Sequence, residues 1–148
     1  MAQVEKIGNN VELKSPAEKF YKHLKDEIHR TPTAASDKVQ SVSVHEGDEE
    51  TAGSTKLIWK YTIDGKQEQM KEKVEIDEAT KTVNFVGIEG HILELYKTYK
   101  VIVKVESGLA KITLEYEKRN AEIPAPYNYL QLVTEIVKDI DAHVVVKG

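Results

Sequence analysis

One residue in this sequence combines a titratable side chain with a position that packing alone does not ask for. Met70, Glu72, Val74 and Ile76 recur with period two, so Glu72 falls on the face set by its apolar neighbours. A carboxylate that points inward must be paired, hydrogen-bonded or shifted in pKa. It could then bind a ligand hydroxyl or amine, or act as a general base. The plainer reading is a glutamate near a strand end that reaches water through the mouth of a pocket, and it is favoured because pockets admit solvent readily. A partner is available if the stretch 95–105 turns Lys97 inward. That stretch is ambiguous in register: Leu95, Tyr99, Val101, Val103 and Val105 form one face, while Tyr96 and Ile102 argue that the other is not fully wet.

The remaining chemistry-bearing residues form no known catalytic spacing. His23, His29, His45, His91 and His143 include no pair at metal spacing and no His-Glu-x-x-His, so surface or loop roles are expected. No serine sits in a nucleophile elbow, and no Gly-x-Gly-x-x-Gly occurs. Trp59, Tyr61, Tyr99 and Tyr116 lie at alternating positions of strand-like segments. They read equally as core packing and as the wall of a pocket.

The elements that must position these residues follow from periodicity. Residues 3–13 alternate loosely through Val4, Ile7, Val11 and Leu13, and read as a first strand interrupted at Gly8-Asn9-Asn10. Ser15-Pro16-Ala17-Glu18 signals a helix start with reciprocal capping between Ser15 and Glu18. Ala17, Phe20, Tyr21, Leu24 and Ile28 continue it at helical spacing until Thr31-Pro32-Thr33 stops it. Residues 33–38 read as a loop or a further short helical turn. From Val39 the period becomes two. Successive strands run through Val39–Val44, Leu57–Ile63, Met70–Ile76, Val83–Val86, Leu95–Val105 and Ile112–Tyr116, with turns at Asp64-Gly65, Asp77–Lys81 and Ser107-Gly108. After Pro124-Ala125-Pro126 a long helix carries an apolar stripe of Tyr129, Val133, Ile136, Val137, Ile140 and Val144, opposite Gln131, Glu135, Lys138 and Asp139. The expected class is α+β: a seven-stranded curved antiparallel sheet around a long C-terminal helix, with one or two short helices after the first strand.

Composition narrows the function. A chain of 148 residues has the length of one domain, and residues 1–148 are taken as a single ligand-binding unit. Absence of cysteine excludes disulfides and thiolate metal sites. The net charge of −4, with Lys and Arg interspersed among Asp and Glu, gives no electrostatic drive toward nucleic acid or anionic membranes. No secretory signal and no membrane-spanning run is expected.

Three stretches then carry a resemblance: Leu57–Ile76 (LIWKYTIDGKQEQMKEKVEI), Glu89–Lys100 (EGHILELYKTYK) and Leu132–Asp141 (LVTEIVKDID). They resemble the plant major latex proteins, a branch of the birch-pollen-allergen and pathogenesis-related class of helix-grip proteins, over about residues 3–144. The family's glycine-rich loop corresponds to residues 46–54, where Glu49 and Glu50 replace the central glycines. Those carboxylates oppose a phosphate-cradling role. The resemblance implies a large internal cavity that takes amphipathic apolar ligands such as steroids, flavonoids or cytokinins. The expected wall is Phe20, Leu57, Trp59, Tyr61, Met70, Glu72, Tyr99 and Tyr116, closed by Val133, Val137 and Ile140 of the long helix. The implied role is a cytoplasmic carrier of a hydrophobic small molecule, without cofactor or metal, in defence or stress. A monomer is expected, with a dimer as the alternative. A pocket enzyme of specialised metabolism, performing condensation or isomerisation, is the competing class.

Overall fold

A computed structural model describes residues 3–45 and 55–147. The order is β1 (Val4–Glu12), α1 (Ala17–Asp26), a 3-10 turn (Ile28–Arg30), α2 (Thr31–Ala34), β2 (Val39–His45), β3 (Lys56–Ile63), β4 (Lys66–Asp77), β5 (Thr82–Gly90), a second 3-10 turn (His91–Glu94), β6 (Tyr96–Glu106), β7 (Leu109–Lys118) and α3 (Tyr127–Lys147). The seven strands form one antiparallel sheet in the order β1-β7-β6-β5-β4-β3-β2. Strands β2 to β7 are a meander, and β1 closes the far edge beside β7.

The sheet is deeply curved, and α3 shows why it must be. This helix touches both β1 and β3. Five strand spacings separate those two strands, about 24 Å if the sheet were flat. A helix with its side chains is only about 10–12 Å across. The sheet therefore wraps around α3, whose stripe of Tyr129, Val137, Ile140 and Val144 is buried against it. The hairpin turns use the backbone conformations their residues favour: Asp64 and Gly65 have φ of 51° and 77°, and Ser107 and Gly108 have 53° and 75°.

Several local expectations are corrected. Strand β1 runs unbroken through Gly8-Asn9-Asn10, which pair with Thr113, Ile112 and Lys111. The complete ladder with β7 overrides the turn tendency of these residues. Gly8 fits because a Cβ there would lie 2.8 Å from the carbonyl oxygen of Ile112. The reciprocal cap at α1 does not form. Pro16 is the N-cap and no side chain caps the helix. Ser15 turns instead to α3, where Asp141 Oδ1 accepts from its N–H at 2.9 Å and its hydroxyl at 2.5 Å. Asp141 Oδ2 accepts from Lys14 N–H at 2.8 Å. One buried carboxylate thus takes three donors, more than a single capping bond offers. Thr31-Pro32-Thr33 begins α2 rather than ending the helical region, since a proline in the first turn forfeits no intrahelical bond. Strand β5 continues past Gly87 to Gly90, and Leu95 precedes β6 rather than opening it.

Candidate functional site

Between α3, α1 and the inner faces of β3 to β6 lies a cavity of about 680 Å³, counting the part that opens to solvent. Its position follows from the curvature: one helix does not fill the hollow of a wrapped sheet. Of the residues expected in its wall, Trp59, Tyr61, Met70, Glu72, Tyr99, Val133, Val137 and Ile140 line it. Phe20, Leu57 and Tyr116 do not; they are sealed in the surrounding core at 0%, 1% and 1% exposure. Tyr116 packs edge-on against Tyr96, 5.5 Å between ring centroids. Residues not anticipated in the wall are Leu24, Ile28, Val39, Phe85, Val101, Val103, Tyr129, Leu132 and Ile136. Phe85 stood on the inward alternation of its strand, and Tyr129 and Ile136 on the helix stripe, so periodicity contained the signal.

The bulge between Tyr96 and Thr98 settles the register of β6. Tyr96 and Tyr99 both face inward, and Lys97 is exposed. Lys97 is therefore no partner for Glu72. Leu95 is 46% exposed, against its expected place on the inner face.

Glu72 faces inward as its alternation requires and is 6% exposed, so the plainer expectation of a water-reaching carboxylate does not hold. Its neighbours explain the setting. On β3 it pairs with Leu57 and on β5 with Gly87. Gly87 leaves room beside it: a Cβ there would stand 3.0 Å from the Tyr99 carbonyl oxygen and 3.4 Å from Met70 Sδ. Burial pushes the Glu72 carboxyl up to about 8, against which the nearby Trp59 indole N–H pulls it down. That indole nitrogen is itself buried and makes no bond of normal hydrogen-bond geometry among the described residues. The two polar groups are close without being well joined. Burial, and then the charge of Glu72, push the Tyr99 phenol upward. The rings interlock around the carboxyl, with Trp59 edge-on to Phe85 at 6.2 Å and Tyr99 edge-on to Tyr129 at 6.1 Å.

A second carboxyl sits at the rim. Glu68 Oε1 accepts from the Tyr61 hydroxyl at 3.1 Å and from the Tyr129 hydroxyl at 2.6 Å. Burial and Glu68 together raise both phenols, which stay protonated donors. This clasp joins β3, β4 and α3 at one end of the cavity.

The arrangement offers a mostly apolar wall, a neutral carboxylic acid at ordinary pH, an underused indole N–H and three phenols. Among the described residues that line it there is no lysine, arginine or histidine. His23, expected at the surface, is buried because helical spacing puts it on the face of Phe20 and Leu24. Its ring meets His143 of α3, 6.1 Å between centroids. Among the described residues no three His, Asp or Glu side chains converge on a metal site. No described helix is long and apolar enough to cross a membrane. The segment 46–54, weighed as a phosphate cradle, lies outside the described residues.

Known proteins share both sequence and shape with this chain. It is 41% identical to MLP-like protein 328 of Arabidopsis thaliana over 139 residues, 90% of this chain and 91% of that protein. MLP-like protein 43 of the same plant is 37% identical, over 95% of this chain and 92% of the relative. The crystal structure of ginseng major latex-like protein 151 from Panax ginseng superimposes with a TM-score of 0.89 at 31% identity, covering 95% of this chain and 97% of that one. Norcoclaurine synthase from Thalictrum flavum, at 16% identity and a TM-score of 0.79 over 99% of this chain and 90% of the enzyme, shares the fold alone. A profile of one family matches residues 2–147, end to end across the sheet, the cavity and the long helix, and by that match the chain belongs to the Pathogenesis-related protein Bet v 1 family.

Proposed function

We propose that this protein binds an apolar or amphipathic small molecule in the cavity between the sheet and α3. The observation that carries the reading is the lining of the cavity: aliphatic and aromatic side chains from the sheet and two helices, with one inward carboxyl. Small-molecule sites place a few polar groups in an apolar wall to fix orientation. Trp59, Tyr61, Met70, Tyr99, Val133, Val137 and Ile140 supply the contacts, and Glu72 the polar one. Ligands of sterol, flavonoid or plant-hormone type suit such a wall. Family membership supports a carrier role, with action in the cytoplasm, in defence or stress, as a monomer.

The test uses the single tryptophan, Trp59. Binding should change its fluorescence and raise the melting temperature by mass action. If no member of a sterol, flavonoid and hormone panel binds below about 1 mM, where binding amounts to only ~4 kcal/mol, the carrier reading fails. A second reading, a pocket enzyme using Glu72 in proton transfer, is favoured by the raised carboxyl in an apolar site. Chemical conversion of a bound ligand that ceases in Glu72→Gln would replace the first reading by the second.

A further inference from the structure

We propose that the cavity selects amphipathic amines, whose ammonium group pairs with Glu72 while the apolar body lies against the surrounding rings. The inference rests on the small-molecule reading above and names the ligand class for that same cavity.

Glu72 is 6% exposed, and the described residues that line the cavity include no cation. Strand β3 presents Trp59 and Tyr61, β5 Phe85, β6 Tyr99, α1 Leu24, and α3 Tyr129 with its aliphatic neighbours. The titratable ones among these besides Glu72 are phenols, which burial keeps neutral. A buried carboxyl without a counter-ion must stay protonated or receive a counter-ion from outside. Five aromatic rings line the same space, and ring faces attract a desolvated cation. Glu68 places a second carboxyl at the rim, held by the Tyr61 and Tyr129 hydroxyls. A neutral ligand hydroxyl would use none of this electrostatic bias; an ammonium uses all of it.

The proton balance sets a pH signature. The empty site holds Glu72 protonated below about 8. When a protonated amine enters below that pH, Glu72 releases its proton to solvent and the carboxylate–ammonium pair forms. Affinity therefore rises with pH by up to about tenfold per unit until Glu72 is ionised in the free protein, with about one proton released per ligand well below that point. Above the amine's own pKa affinity falls again.

The experiment is calorimetric titration with naphthylethylamine and with its alcohol isostere, naphthylethanol, from pH 6 to 8. Wild-type protein should bind the amine at least about tenfold more tightly than the alcohol at pH 8. That preference should shrink toward pH 6, and heats in buffers of different ionisation enthalpy should report proton release. Glu72→Gln should abolish the preference and the pH dependence, with its melting curve confirming the fold. Equal affinity for the two ligands at pH 8, or a preference that survives Glu72→Gln, overturns the amine proposal; naphthylethanol binding in that case leaves the small-molecule reading intact. Failure of both ligands to bind overturns both.

Discussion

Glu72→Gln makes a sharp test of the cavity's energetics without any ligand. The folded protein holds the Glu72 carboxyl near 8 rather than at its ordinary 4.5, through burial. A carboxyl whose folded pKa is raised contributes its full stability below the unfolded value and loses it as pH climbs through the folded value. The window is therefore about pH 4.5 to 8. Across it, wild-type stability should decline relative to a non-titrating side chain by roughly 1.4 kcal/mol per pH unit. By pH 7 the difference amounts to roughly 3 kcal/mol, a large part of the 5–15 kcal/mol typical of a domain. Glutamine has the same shape and no proton to lose. Urea denaturation of both proteins at pH 5, 6, 7 and 8 should show the variant gaining on the wild type at each step, with unchanged slopes in denaturant. A difference that stays constant from pH 5 to 8 would mean that Glu72 is already ionised in the fold, and the account of an uncompensated buried carboxyl would be wrong.

Other perturbations probe what frames the site. Asp141→Ala removes the acceptor of three bonds from Lys14 and Ser15; a loss of roughly 3 kcal/mol or more is expected in chemical denaturation, and a loss under about 1 kcal/mol would show that the tie is idle. Gly90 has φ of 147°, and a Cβ there would lie 2.5 Å from the Gln69 carbonyl oxygen. Gly90→Ala should therefore cost at least roughly 1–3 kcal/mol, and an unchanged melting temperature would contradict that geometry. Val137→Asp sets a carboxylate on the buried face of α3, where Val137 is 2% exposed. It should destabilise by roughly 3 kcal/mol near neutral pH and less in acid, where the new carboxyl is protonated; equal melting at both pH values would refute burial of that face.

Much of this architecture was legible because period-two and period-3.6 patterns report burial directly. Glu72 was placed inward by Met70 on one side and Val74 and Ile76 on the other, and the long helix by its stripe. What was not legible required knowledge of partners distant in sequence. Ser15 looked like a cap because its competitor, Asp141, lies on the last helix. Gly8-Asn9-Asn10 looked like a break because the strand that holds them, β7, begins about a hundred residues later. Lys97 looked available because a bulge shifts facing by one residue, and nothing at Tyr96-Lys97-Thr98 announces it. In the cavity wall, alternation identified the inward face but could not separate residues that meet empty space from those such as Phe20, Leu57 and Tyr116 that meet other side chains. That distinction depends on the sheet's curvature.

The placement of β1 has a consequence for how the chain is made. Residues 4–12 find their ladder only with residues 109–117, and Lys14 and Ser15 find Asp141 later still. At synthesis rates of about 5–20 residues per second, the first strand waits on the order of 5–20 s for its partner. An unpaired strand on a nascent chain is a template for wrong pairing with its neighbours. The Gly8-Asn9-Asn10 centre and the flanking Glu5, Lys6, Glu12 and Lys14 make this strand a poor template. The weak strand-forming residues that obscure β1 in the sequence thus guard the segment that must stay single longest, and the fold supplies the stability only once β7 and α3 have been made.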